Sequence, residues 1–146
     1  MLYLTKEQLE ELVNHSKEGF PDEVCGILAG RDGRVKKIYK MQNTDKSKMS
    51  FFMDPGEQLR VMKEIKTLSM EFIGIYHSHP ETEARPSAHD VELASYPEVS
   101  YVIISLKDKD NPETRSFRIV EGKIEEETIS FKELGVGKRR YEDEES

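Results

Sequence analysis

The sequence predicts an α/β (α+β) fold, a single domain in which a mixed sheet is flanked by helices. Three observations carry that expectation. Apolar runs of strand length recur at 24–29 (VCGILA), 72–79 (FIGIYHSH) and 99–106 (VSYVIISL). Amphipathic helical stretches alternate with them, and the last two strand-like segments face each other across Glu121-Gly122 as a hairpin. At 146 residues the chain fits one domain. A domain of this size buries roughly 68–70% of its unfolded surface and needs no disulfide staple.

Taken in order, the chain opens on a helix that starts at a capping box. Thr5 is the cap, Gln8 the reciprocal partner, and Leu4 can staple onto Leu9. Leu9, Leu12 and Val13 form its apolar stripe, and the helix should fade near Gly19, ahead of Pro21. VCGILA reads as a buried strand, GRDG as a turn, and VKKIYK as a half-exposed strand. A polar loop follows, then SFFM, expected as a short strand. Asp54 and Pro55 start a second helix, with Glu57 in its first turn and a stripe of Leu59, Met62 and Ile65. FIGIYHSH is the next strand, SAHDVELASY a short helix capped by Ser87, and VSYVIISL the most apolar strand of the chain. RSFRIV and KIEEETIS complete the hairpin. Past Phe131 periodicity is lost, so the domain is expected to span 1–131, with a charged tail at 132–146.

Composition narrows the function. A formal net charge of −7 argues against general affinity for nucleic acid, which depends on neutralising phosphates. The single cysteine, Cys25, excludes an internal disulfide and a Cys-rich zinc ribbon, and fits a reducing compartment. The amino terminus lacks the pattern of a signal peptide, and the apolar runs are too short to span a bilayer. A cytoplasmic protein without a membrane partner is expected. Nothing in the sequence precludes a homo-oligomer.

The chemistry concentrates in 75–90, IYHSHPETEARPSAHD, which holds three of the four histidines. Side chains alternate faces along a strand, so His77 and His79 share one side and Ser78 points to the other. Two imidazoles about 7 Å apart along one face suit a shared metal, although such a pair is as often an ordinary polar strand edge. Asp90, one turn beyond Ser87, can complete a facial set of three ligands and leave a fourth position for water. Plain capping by Ser87 and Asp90 is compatible with ligation. His89 is a rival third ligand, about 100° away round the helix from Asp90. Spacing leaves both open. His15 reads as a surface or boundary histidine. A hydrolytic metal site also needs a base, for which Glu23, Glu71, Glu81 and Glu83 all qualify by composition. Glu23 stands out because it adjoins a buried strand.

These residues resemble a known motif. EVCGILAG, then HSHP, then PSAHD match the JAMM (MPN+) metalloprotease pattern of a distant glutamate, H-[ST]-H-P, and Ser and Asp with two residues between them. Seven residues separate His79 from Ser87, which is that family's spacing. The resemblance covers about residues 1 to 130 and implies an MPN/JAMM sandwich of the cytidine-deaminase-like kind. It further implies that His77, His79 and Asp90 bind one Zn2+ per chain, with a water in the fourth position. Glu23 would be the general base and acid, and Ser87 the oxyanion donor. The implied substrate is a ubiquitin-fold or sulfur-carrier protein, cut after its C-terminal Gly-Gly at an amide or isopeptide bond. The compact length resembles the stand-alone prokaryotic branch. The tail would add along an open sheet edge beside the metal, with the loop between Met41 and Phe52 forming part of the groove. Cys25 is expected to be a small buried strand residue.

Rival enzyme patterns fail on residues. A zinc deaminase needs H-x-E with P-C-x-x-C, which one cysteine excludes. H-E-x-x-H is absent. The alternative from another class is a non-catalytic MPN-type scaffold that binds protein partners. Such relatives lose ligands or the glutamate, whereas all five positions stand here.

Overall fold

A computed structural model describes residues 1–131; the expected tail at 132–146 lies outside the described residues. The elements are β1 (Leu2–Tyr3), α1 (Lys6–Gly19), β2 (Cys25–Arg31), β3 (Arg34–Met41), α2 (Pro55–Thr67) and β4 (Glu71–His79), followed by α3 (Ala88–Leu93), β5 (Ser100–Ser105), β6 (Glu113–Val120), β7 (Lys123–Glu127) and β8 (Ile129–Ser130). Both expected helix starts form. Thr5 and Gln8 make the capping box of α1, and the Asp54 side chain caps α2 with Pro55 at its first position. Among the described residues no helix is long and apolar enough to cross a membrane.

All strands join one eight-stranded sheet in the order β7-β6-β5-β4-β2-β3-β1-β8. β4 and β5 run parallel at its centre, flanked by antiparallel neighbours. Helices cover both faces. Leu12 of α1 packs on Leu28, Tyr76, Val102 and Ile104, whereas Ile65 of α2 packs on Ile27, Ala29 and Met41. A strand covered on both sides has no solvent face, which is why β5 is apolar without alternation and every residue of it is buried. Gly26 of β2 is a packing requirement: a Cβ there would lie 2.1 Å from the buried Tyr76 ring. The Tyr76 hydroxyl is satisfied by His15 Nδ1 at 2.8 Å, which makes His15 a boundary residue.

The two ends of the strand order are joined by one residue. β7 and β8 occupy opposite edges, yet only Thr128 separates them, and one residue spans no more than about 3.6 Å. The sheet must therefore curl until its edges meet. Glu127 stands at that seam. Its carboxylate accepts hydrogen bonds from Ser100 Oγ, from Ser116 Oγ at 2.6 Å and from Arg118 Nε at 3.2 Å.

Four expectations need correction. SFFM is not a strand; only Met53 forms an isolated bridge, to Asn43, because the loop is tied by side chains instead of a ladder. Leu59 is 57% exposed, and α2 instead turns Val61, Met62 and Ile65 inward. Leu2–Tyr3 forms a strand too short to show periodicity. Lastly, β4 lies between β2 and β5, so among the described residues no open edge adjoins its histidines.

The seam yields a test. Burial favours the neutral Glu127, but the Ser100, Ser116 and Arg118 hydrogen bonds outweigh it and hold its carboxyl below the usual range. A depressed folded pKa contributes stability that is present above the unfolded value and lost as pH falls through the folded one. Glu127→Gln is expected to destabilise the fold by about 1–3 kcal/mol at pH 7. In denaturant titrations the gap to the parent should narrow as pH drops below 4.5. A gap that is constant with pH would remove the ionic account of the seam.

Candidate metal centre

The end of β4 builds most of the site. Period-two alternation sends His77 and His79 to one face, where both are buried, and Ser78 to the opposite face. The loop 80–86 then carries the chain back over the strand end, and α3 starts at its Ser87 cap. Ser87 Oγ accepts the Asp90 N–H at 3.0 Å, and Asp90 Oδ2 accepts the Ser87 N–H at 2.9 Å. This capping box aims the Asp90 carboxylate back at the strand.

Three side-chain atoms converge there. His77 Nε2 and His79 Nε2 are 3.2 Å apart, and Asp90 Oδ2 lies 3.2 Å from the first and 3.0 Å from the second. His79 Nδ1 is 2.9 Å from the Glu83 carbonyl, which can only accept, so that nitrogen carries a hydrogen. In the neutral ring Nε2 is then a bare lone pair, facing a carboxylate oxygen and a second imidazole nitrogen. Such an arrangement calls for a cation at its centre. Ligands at 2.0–2.1 Å in a tetrahedron lie about 3.3 Å from one another, close to the triangle observed. His77, His79 and Asp90 are therefore a group that could hold a metal ion.

The electrostatics agree. Burial alone would raise the Asp90 pKa, yet the His77 and His79 rings beside it hold its carboxyl well below the usual carboxylate range. Burial lowers the His77 pKa despite the adjacent carboxylate. For His79 burial also pulls down, but Asp90 and the Glu83 carbonyl outweigh it and the net shift is upward. A proton and a metal thus compete for the same lone pairs.

Glu23 approaches from the segment before β2. It is 5% exposed, and its Oε1 is buried without a hydrogen-bond partner among the described residues. Burial pushes its carboxyl up to about 8, opposed by His79 and reinforced by Asp90. A carboxylate poised near neutrality can take and return a proton. Glu71, Glu81 and Glu83 are exposed, as is His89, which lies outside the converging group. Ser87 is exposed at the mouth; its Oγ already accepts from Asp90, so its hydrogen is free to donate outward. Cys25 pairs across the ladder with His77, but burial pushes its thiol up to about 12, leaving an inert strand residue.

Beside His77 and Asp90 lies an apolar cleft of about 220 Å³, lined by Phe51, Phe52, Leu93 and Tyr96 among others. The Phe51 ring stacks on His77 at 4.7 Å between centroids and 29° between planes. The loop expected to form part of a groove thus contributes two rings to it. Sequence reasoning singled out neither Phe51 nor the anchoring role of Ser78. Ser78 Oγ accepts the Val24 N–H at 2.8 Å, and the Ser78 N–H donates to the Val24 carbonyl at 3.0 Å. Alternation foretold that Ser78 faces away from the histidines, but not which backbone it would hold.

Ser78→Ala should leave the buried Val24 N–H unpaired and cost about 1–3 kcal/mol of stability. The three metal-binding atoms would remain, so metal content after purification should match the parent. Unchanged stability in thermal unfolding would mean that Ser78 does not carry this junction.

Comparison with known proteins places the chain. The family described as prokaryotic homologs of the JAB domain matches residues 5–120. The CysO-cysteine peptidase of Mycobacterium tuberculosis is 38% identical over 135 residues, covering 91% of this chain and 92% of that one. A probable TtuB-protein conjugate cleaving protease of Thermus thermophilus is 33% identical, covering 70% of this chain and 69% of its own length. Among solved structures, a protein from Desulfitobacterium hafniense superposes with a TM-score of 0.81 at 41% identity, over 96% of this chain and 94% of that one. A JAB1/MPN domain protein from Archaeoglobus fulgidus, at 20% identity, shares the fold with a TM-score of 0.60, over 89% of this chain and 97% of its own. By sequence and by fold, this chain belongs to the prokaryotic JAB-domain branch of the JAMM/MPN family and is a peptidase of the JAMM type.

Proposed function

We propose that this protein is a zinc-dependent hydrolase that cuts the amide or isopeptide bond after the C-terminal Gly-Gly of a ubiquitin-fold or sulfur-carrier protein. The observation that carries the reading is the triangle of His77 Nε2, His79 Nε2 and Asp90 Oδ2, with edges of 3.0–3.2 Å, together with the unpartnered buried carboxylate of Glu23. Relatives whose names specify CysO-cysteine and TtuB-protein conjugates support the substrate class. Residues 1–131 form the peptidase domain, and its workplace is the cytoplasm, in keeping with a lone buried thiol.

His77, His79 and Asp90 would hold one zinc, which would supply Lewis acidity toward the scissile carbonyl and acidify a water. Glu23 accepts the proton of the attacking water at its unpartnered oxygen and passes it to the leaving amine. Ser87 donates its free hydroxyl hydrogen to the carbonyl oxygen as negative charge develops there. Glycines at the scissile end have no side chain to obstruct approach to the buried ligands. The apolar cleft beside His77 receives the preceding part of the tail and excludes water.

The direct test incubates purified protein with a ubiquitin-fold carrier extended beyond Gly-Gly, with and without chelator. One zinc per chain and chelator-sensitive release of the extension, read by mass spectrometry, are expected. Stoichiometric zinc with no release would sink the substrate assignment.

Two variants separate base from ligands. Glu23→Gln is expected to retain zinc while hydrolysis falls about 10²–10⁴-fold. Activity near the parental rate would place the base elsewhere. Asp90→Ala should lose zinc affinity by at least about 100-fold, whereas His89→Ala should bind it like the parent. Metal titrations giving the reverse order would overturn the ligand set.

A further inference from the structure

Asn43, two residues past the end of β3, is not part of any motif, yet its carboxamide makes four hydrogen bonds. Nδ2 donates to the Glu23 carbonyl at 2.9 Å and to the Ser50 carbonyl at 3.1 Å. Oδ1 accepts the N–H groups of Asp45 and Phe52, each at 3.0 Å. Both neighbours of the nitrogen are carbonyls and both neighbours of the oxygen are N–H groups, so only one orientation of the amide fits. Three of these bonds close the loop 43–52 on itself. The fourth leaves the loop and holds Glu23.

The other backbone group of Glu23 is held by the same loop, its N–H donating to the Ser47 carbonyl at 2.7 Å. Since β2 begins at Cys25, the sheet ladder does not fix this residue. The loop does. It also carries Phe51, whose ring stacks on His77. One side chain therefore ties the backbone of the carboxylate-bearing residue to the segment that packs on a metal-binding imidazole.

We infer that Asn43 is a positioning residue: its donation to the Glu23 carbonyl, from within the loop that seats Phe51 on His77, sets where the Glu23 carboxylate stands relative to the His77–His79–Asp90 triangle. The inference rests on the reading of Glu23 as the proton carrier. A displacement of about 1 Å at a reacting group can lower a rate about 10²-fold, so a single backbone hydrogen bond is enough to matter.

Asn43→Asp tests this with little change of shape. The carboxylate still accepts from Asp45 and Phe52 but no longer donates to Glu23 and Ser50. In the metal-free protein, amide exchange at Glu23 should accelerate at least about tenfold, while Phe52 stays within about threefold of the parent. In the zinc-loaded protein, metal content and KM should hold, whereas kcat should fall at least about tenfold. Combined with Glu23→Gln, Asn43→Asp should lower kcat no further, because both act on one group. Asn43→Ser, too short to reach Glu23, carries the same expectations for Glu23 exchange, metal content, KM and kcat, though not for Phe52, whose acceptor it also removes, should the aspartate variant fail to fold. Unchanged Glu23 exchange, unchanged kcat, or losses that multiply in the double variant would each overturn the inference. Should Glu23→Gln itself remain active, the proton-carrier reading fails, and the exchange measurement still decides whether Asn43 holds Glu23.

Discussion

The site depends on the way one strand end serves both of its faces. At 77–79 the alternation of β4 gives two imidazoles to the cleft and one hydroxyl to the reverse side. That hydroxyl and its own N–H clasp Val24 at 2.8 and 3.0 Å, so the segment bearing Glu23 is pinned directly across from the histidines. Neither the ligand pair nor the carboxylate could keep its place if the clasp slipped, because a one-residue shift exchanges the faces of every side chain. The glycine-tight contact of Gly26 with Tyr76, on the same face as the Ser78 hydroxyl, keeps β2 and β4 in this register.

Against that rigid junction stands a set of polar groups that folding alone would not select. Three atoms able to ligate a metal crowd together, Glu23 Oε1 and His77 Nδ1 are buried without hydrogen-bond partners among the described residues, and the Glu23 carboxyl is pushed up to about 8 by burial. Each such group costs stability when left unpaired in a low-dielectric interior. The rest of the fold offsets this with cores on both sheet faces and with the Glu127 seam, both built from satisfied groups. Among the described residues the buried side-chain atoms left unsatisfied belong to Glu23 and to His77 at the end of β4, where they can act on a ligand.

Much of this was legible in the sequence. The capping box at Thr5, the cap at Ser87, the buried strands and the shared face of His77 and His79 follow from spacing alone, since caps and alternation are local rules. Choosing Asp90 over His89 and Glu23 over other glutamates took the motif resemblance, and the structure brings the former of each pair inward and leaves the latter exposed. What local rules could not reach was contact between distant segments. Asn43 falls in a polar loop with nothing to single it out, and SFFM has strand composition, yet a side-chain staple turns those residues into a loop. The closure through Thr128 was equally hidden, because strand order is a property of the whole chain.

Closure also decides how a polypeptide can reach the metal-binding atoms. Unpaired strand edges are the usual place for an extended chain to dock, and they are also where sheets aggregate. Here β4 is flanked on both sides and the outer strands meet at Thr128, so the histidines are reached from the cleft that lies over their face of the sheet, beside Ile75 and Ile103. Two walls bound that approach: the loop 43–52 with Phe51 and Phe52, and the end of α3 with Leu93 and Tyr96. The loop wall is held by Asn43 and, through Ser47, by the backbone of Glu23 itself. Within that wall Asn43 Oδ1 accepts from the loop's own N–H groups while Nδ2 reaches out to Glu23, so one carboxamide links the segment that bounds the cleft to the backbone that carries the carboxylate.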